Sequence, residues 1–203
     1  MVLKTLLATA GALVVLATTV EAQATLTPSF NAPHRPFVRS EFGGIVSFPD
    51  PRGTAYEGVY RLGARRMDLG LRGGILDFEG PAESVMLAGF EGRARVLNHG
   101  PAFPLDGAVI FGAGGRFASG QSRFSFPLGL SLGRRVNVDG AALSFVPYVQ
   151  PTAFLRGGNN MDTGFIYAMG LGADVRFGGA FNARMGIGLG DVEGVSLGAV
   201  WVH

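Results

Sequence analysis

Between Phe165 and Phe177 the chain alternates without a break. Phe165, Tyr167, Met169, Leu171, Ala173, Val175 and Phe177 form one set; Ile166, Ala168, Gly170, Gly172, Asp174 and Arg176 form the other. Successive side chains of a strand point to opposite faces, so a period of two means two distinct environments. One face here is large and apolar. The other is small, and charged at its far end. A transmembrane barrel accounts for both: the apolar residues face lipid, and the small and polar ones face a narrow interior.

The same grammar recurs. Met67, Leu69, Leu71, Gly73 and Ile75 alternate with Asp68, Gly70, Arg72 and Gly74. Phe124, Phe126, Leu128, Leu130 and Leu132 alternate with Ser125, Pro127, Gly129, Ser131 and Gly133. Phe181, Ala183, Met185, Ile187 and Leu189 alternate with Asn182, Arg184, Gly186, Gly188 and Gly190. Val195, Leu197, Ala199 and Trp201 close the series against Ser196, Gly198, Val200 and Val202.

Charged residues make up only 16% of the 203 positions and apolar residues 47%, a poor composition for a water-facing surface. Glycine, at 33 residues, is about twice its ordinary usage and serves strands and turns. Beyond the N-terminus no stretch is apolar for the roughly 18 residues of a membrane helix. A membrane-spanning fold must then be a closed barrel, because backbone polar groups in lipid need internal partners. There is no cysteine, which removes disulfides and thiolate chemistry. The formal net charge of +2 gives no reason to expect a nucleic-acid partner.

Residues 1–24 read as a cleaved secretory signal peptide. Lys4 supplies the positive start, and Leu6–Leu16 the short apolar region. Cleavage after Ala22 and after Ala24 are both consistent with the small-x-Ala rule. Residues 25–37, polar and carrying Pro28, Pro33 and Pro36, read as a periplasmic tail, and residues 38–203 as the barrel. Ten strands are expected, at about 38–48, 54–64, 66–77, 84–96, 105–117, 122–135, 141–156, 163–177, 179–190 and 193–202. Eight strands are the alternative, since 54–64 and 66–77 read also as one long bent strand and the ninth and tenth strands are short. Short turn signals such as Ser119-Gly120 and Gly178-Gly179 separate them, giving an all-β, up-and-down antiparallel barrel. Pro127, Pro147 and Pro151 fall inside strands, where they mark bulges or lie beyond the hydrocarbon layer.

Three segments and the closing strand carry a resemblance. They are Phe126-Pro127-Leu128-Gly129-Leu130-Ser131-Leu132-Gly133, Phe145-Val146-Pro147-Tyr148-Val149, Gly164 to Gly172, and Gly194 to Val202. With them the chain, from residue 38 onward, resembles the small bacterial outer-membrane β-barrel proteins of the broad outer-membrane protein A/X-like kind. The resemblance implies the outer membrane of a diderm bacterium, a lipid partner, and recognition of the C-terminal strand by the barrel-assembly machinery. Such strands commonly end in an aromatic residue; this one ends Trp201-Val202-His203, with Trp201 and His203 in the expected parity.

Inward parity collects Glu41, Glu57, Arg61, Asp68, Arg72, Glu91, Arg93, Arg95, Asp106, Arg116, Asp174, Arg176 and Arg184. In a narrow barrel these residues pair and fill the interior; a polar lumen conducting ions or small solutes is the other reading. Lipid-facing positions include Phe165, Tyr167, Met169, Leu171, Met185, Ile187, Leu189, Leu197 and Trp201. Aromatic residues such as Tyr56, Tyr60, Phe177 and Phe181 fall toward strand ends, as a membrane boundary favours. No catalysis is expected. His34, His99 and His203 form no evident constellation with a serine or aspartate, and Gly112-Ala113-Gly114-Gly115 opens no helix for a phosphate. Asn159, Asn160 and Asp162 read as a turn rather than a calcium loop, so neither metal nor cofactor is expected. A role in envelope structure or interaction follows. The remaining alternative, a soluble exported barrel binding an apolar ligand, needs the reverse arrangement of faces.

Overall fold

The computed structural model describes residues 24–33, 40–50, 53–79, 84–159 and 161–203. Eleven strands follow in chain order: β1 (Glu41–Pro49), β2 (Gly53–Gly63), β3 (Met67–Phe78), β4 (Val85–Leu97), β5 (Asp106–Ala118), β6 (Gln121–Gly133), β7 (Val136–Asn137), β8 (Leu143–Gly158), β9 (Met161–Phe177), β10 (Phe181–Gly190) and β11 (Gly194–Val202). Each pairs antiparallel with the next, except that β6 skips to β8. The two-residue β7 only extends the edge of β8. Closure comes from β1 against β11, in register from Glu41↔Val202 to Pro49↔Gly194. The ring therefore holds ten strands, not eight, and β2 and β3 are separate, joined by Ala64–Arg66.

β1 begins and β11 ends at the same end of the barrel, here called the terminal end. The turns at the opposite, far end are short: residues 119–120 join β5 to β6, with Gly120 at a φ of 71° that a side chain would strain. The longest connections, 98–105 and 134–142, lie at the terminal end.

Two of the in-strand prolines coincide with breaks in the hydrogen-bonded ladders. The β5–β6 register runs to Phe111↔Leu128 and resumes only at Gly114↔Ser125, so Pro127 lies in the gap. Between β6 and β8 it breaks from Gly129↔Thr152 to Leu132↔Val149, which frees Pro151. Pro147 lies past the last β6–β8 pair, Gly133↔Tyr148. A residue without an N–H is thus accommodated without an open sheet edge.

The alternation sorts charge sharply. Apart from Asp77, next to the end of β3, every charged residue within the described strands has inward parity. Thirty large apolar side chains are exposed among the described residues, all but Phe103 and Val138 on strands, far beyond what a water-facing surface displays in one band. On the outer face, Tyr60, Phe42, Trp201, Phe181 and Phe177 occupy directly paired positions across five successive strands. Phe181 meets Trp201 edge-on at a centroid distance of 5.0 Å and Phe177 at 5.8 Å, while His203 sits 5.8 Å from Phe42.

Neighbouring glycines in β1 show how tightly the closing seam is packed. A Cβ on Gly43 would come 2.0 Å from the Ala199 carbonyl oxygen, whereas at Gly44 the nearest atom would be 3.7 Å away. Gly43→Ala is expected to lower barrel stability by about 1–3 kcal/mol in urea titrations, through forced displacement of the seam, and Gly44→Ala to change it little.

Candidate functional site

The lumen is not filled by wall side chains alone. Residues 25–33, expected to begin a tail outside the barrel, lie inside it together with Ala24, the last residue assigned to the signal peptide, and every one of them is buried. That part of the tail assignment is corrected; residues 1–23 and 34–39, with the rest of the signal peptide and tail, fall outside the described residues. The segment obeys the same period of two as the strands. Thr25, Thr27, Ser29 and Asn31 alternate with Leu26, Pro28 and Phe30.

Its polar set meets a charged wall. Thr25 and Thr27 each donate to one carboxylate oxygen of Glu57, at 2.7 and 2.8 Å. Arg72, 3.3 Å from Glu57, donates to Ser29 Oγ at 2.9 Å. Asn31 Nδ2 donates to Glu91 at 2.8 Å, and its backbone N–H to Gln150 Oε1 at 3.0 Å. An extended segment outside any sheet also exposes carbonyls that need donors. Here the wall supplies them: Arg116 to Thr25 and Leu26, Tyr148 to Phe30 at 2.8 Å, Ser131 to Asn31 at 2.7 Å, and Arg93 to Ala32 at 2.8 Å.

The apolar set packs on the other side. Leu26 and Phe30 join Tyr148, Phe154, Ile166, Ala168 and Val192 in a buried cluster. The inward glycines of β9 and β10 make the space. A Cβ on Gly170 would stand 2.2 Å from the Phe30 ring, and one on Gly188 3.1 Å from it. Gly172 does the same for Tyr148, with its hydroxyl 2.5 Å from such a Cβ. At the start of the segment Ala24 lies against two more glycines: a Cβ on Gly114 would come 2.4 Å from its carbonyl, and one on Gly89 3.1 Å from its Cβ.

Inward charges of the wall also pair with one another. Arg61 bridges Asp68 at 2.5 Å, Glu91 at 2.8 Å and Glu41 at 3.4 Å. Arg93 reaches Asp68 at 2.8 Å. Arg184 binds Glu41 at 2.8 Å and lies 3.3 Å from Asp174. Of the thirteen inward charges named from the sequence, Glu41, Glu57, Asp68, Arg72, Glu91, Arg93, Asp106, Arg116 and Arg184 are buried; Arg61, Arg95, Asp174 and Arg176 are half-buried. All nine residues assigned to the lipid side, from Phe165 to Trp201, are exposed on the outer face.

At the terminal end the lumen widens into a cavity of about 360 Å³ floored by Ala32 and Pro33. Arg95, Arg135 and Arg176 line it together with Asp106 and Asp174. His99, which the sequence left without a partner, is held there: Asp106 accepts its backbone N–H and lies 3.0 Å from its Nδ1. The two residues are seven apart across a loop, a spacing that signals nothing by itself. Among the described residues no group of acidic and histidine side chains has the arrangement of a metal site.

No family model matches this chain, and no curated protein matches its sequence. A solved structure described as "De novo design of transmembrane beta-barrels" is similar over 84% of this chain and 99% of its own, at 11% identity and a TM-score of 0.41.

The Glu57 carboxylate joins wall and segment through three partners, so its removal strands Arg72. Glu57→Ala is expected to lower stability by about 3–5 kcal/mol. The double variant Glu57→Ala, Arg72→Ala should be less damaging than the sum of its single changes. Urea unfolding of the three variants measures both.

Proposed function

We propose that this chain is an integral outer-membrane β-barrel whose lumen is closed by its own N-terminal segment, with a structural or interaction role in the envelope and no catalysis. The observation that carries the reading is the double sorting of the barrel. Charge lies inside and an apolar band outside, and the interior that would otherwise conduct is occupied by residues 24–33. The outer band supports lipid as the partner, and the paired aromatic row is suited to a membrane boundary. The resemblance to small bacterial outer-membrane barrels supports the same location. The outward Trp201 and the ring-closing position of β11 support reading of the C-terminal strand by an assembly machinery. A soluble barrel for an apolar ligand needs apolar residues inside and polar ones outside, the opposite of this sorting.

The lumen also favours a specific second reading. The groups that hold the segment are Glu57, Arg72, Arg93 and Arg116. A barrel lined by these charges and emptied of the segment is a hydrophilic passage. The narrow channel is therefore a state of the same molecule, reached by displacing residues 24–33.

The interior supports processing after Ala22 over processing after Ala24. The second cut would remove a fully buried residue seated on Gly89 and Gly114. The intact mass of the protein from envelope fractions should correspond to a chain beginning at Gln23.

Three measurements test the reading. Carbonate and urea washes should leave the protein in the membrane pellet; extraction without detergent would sink the membrane assignment. In planar bilayers the full chain should give no current above background, and a chain lacking residues 24–33 should give discrete steps. Leu171→Arg on the outer face should cost about 2–4 kcal/mol in folding into bilayers, and a neutral effect would refute its lipid-facing position.

A further inference from the structure

Resting on the membrane reading, we propose that the exposed arginines of the terminal end bind the headgroups of anionic phospholipids and seat that end of the barrel in a negatively charged leaflet. Exposed charge divides between the two ends. Among the described residues, the terminal end exposes the side chains of Arg65, Arg66 and Arg134 against one carboxylate, that of Asp139. The far end exposes Asp50, Glu79, Asp162 and Glu193 against Arg123. Solubility requires no such segregation, because interspersed signs serve it equally well.

The three terminal-end arginines are available to a partner. No ion pair holds any of them among the described residues. Arg65 and Arg66 lie in the turn that joins β2 to β3, between the exposed Leu62 and Met67. Arg134 follows β6 and continues the outward parity of Phe124 to Leu132. The two positions stand on different sides of the ring, three strand pairings apart through β4 and β5. A compact ligand touches one of them; a charged plane across the barrel axis touches both. The aromatic row from Tyr60 to Phe177 crosses the other side of the same end, on β2, β1, β11, β10 and β9. Aromatic side chains favour the boundary between acyl chains and headgroups, so the row sets the depth at which the arginines meet phosphates. An arginine stem lies along apolar surface while its head reaches that boundary. Its planar fork matches the paired oxygens of a phosphodiester. Inverting the barrel would set the far-end carboxylates against the same phosphates.

The test uses the full chain purified in a neutral detergent and native mass spectrometry with equimolar phosphatidylglycerol and phosphatidylcholine of the same acyl chains. Phosphatidylglycerol adducts should exceed phosphatidylcholine adducts about tenfold. Raising ammonium acetate from about 0.05 M to about 0.5 M should remove most of that preference, because exposed charges are screened. The triple variant Arg65→Gln, Arg66→Gln, Arg134→Gln should bring the two lipids to parity, whereas Arg123→Gln, at the far end, should leave the ratio unchanged. Heat-modifiable gel mobility establishes that each variant is folded. Excess glycerol 3-phosphate, which has the phosphate but no acyl chains, should displace little of the bound lipid. Equal adducts of the two lipids, or a preference that survives the triple change in folded protein, would overturn the assignment. Full displacement by glycerol 3-phosphate would also overturn it and identify a soluble anion as the occupant. Equal adducts leave the membrane reading standing, whereas extraction by carbonate and urea washes without detergent would sink that reading and this one with it.

Discussion

An ionised side chain inside a narrow barrel must find its partners there, because little water reaches it and the cost of burying it alone is several kcal/mol. The rest of this structure depends on that constraint. Arg61, Arg93 and Arg184 meet it with carboxylates of the wall. Arg72 meets it with Glu57 and with a serine hydroxyl of the N-terminal segment, and Arg116 reaches two of the segment's backbone carbonyls. The segment has the complementary need, since it runs outside any sheet and its own carbonyls lack ladder partners. Wall and segment complete each other, and neither set of polar groups is satisfied by hydrophobic packing.

The glycines complete the fit. In an isolated strand, Gly170 and Gly172 are weak points, costly in backbone entropy and offering no side chain to pack. Facing the lumen beside Gly188, they form the shallow bay that receives Phe30 and Tyr148. The Tyr148 hydroxyl then donates to the Phe30 carbonyl, tying the apolar contact to the polar one. One alternation thus performs two jobs. Its large set forms the outer band, and its small set makes room for a peptide that the strand sequence does not itself contain.

That division explains what could be read in advance. Ten strands and the sides of their residues are local properties, set by a period of two and by short turns, and the observed strand ends lie within about three residues of those expected. The awkward prolines were legible as irregularities, though not as the ladder gaps at Pro127 and Pro151, which depend on the register of neighbouring strands. Inward charges were legible as a set, but not their pairing. The lumen segment was the larger omission. Its prolines and hydroxyl residues suggest a solvated tail, and its burial depends on Glu57, Arg116 and Tyr148, distant in sequence. One signal was available: Thr25, Thr27, Ser29 and Asn31 repeat the alternation of the strands just outside the region assigned to them. His99 and Asp106, brought together by a loop, left no comparable trace.

The cysteine-free chain permits a direct measurement of whether residues 24–33 occupy the lumen. Single substitutions Ser29→Cys and Leu171→Cys, in protein folded in detergent, can be exposed to a bulky charged maleimide and compared with the same proteins in urea. The account predicts that the thiol at position 29 is protected by at least two orders of magnitude when folded and reacts freely when unfolded, while the one at position 171 is not shielded by protein in either state. Rapid folded-state modification at position 29, in protein whose heat-modifiable mobility shows an intact barrel, would contradict it.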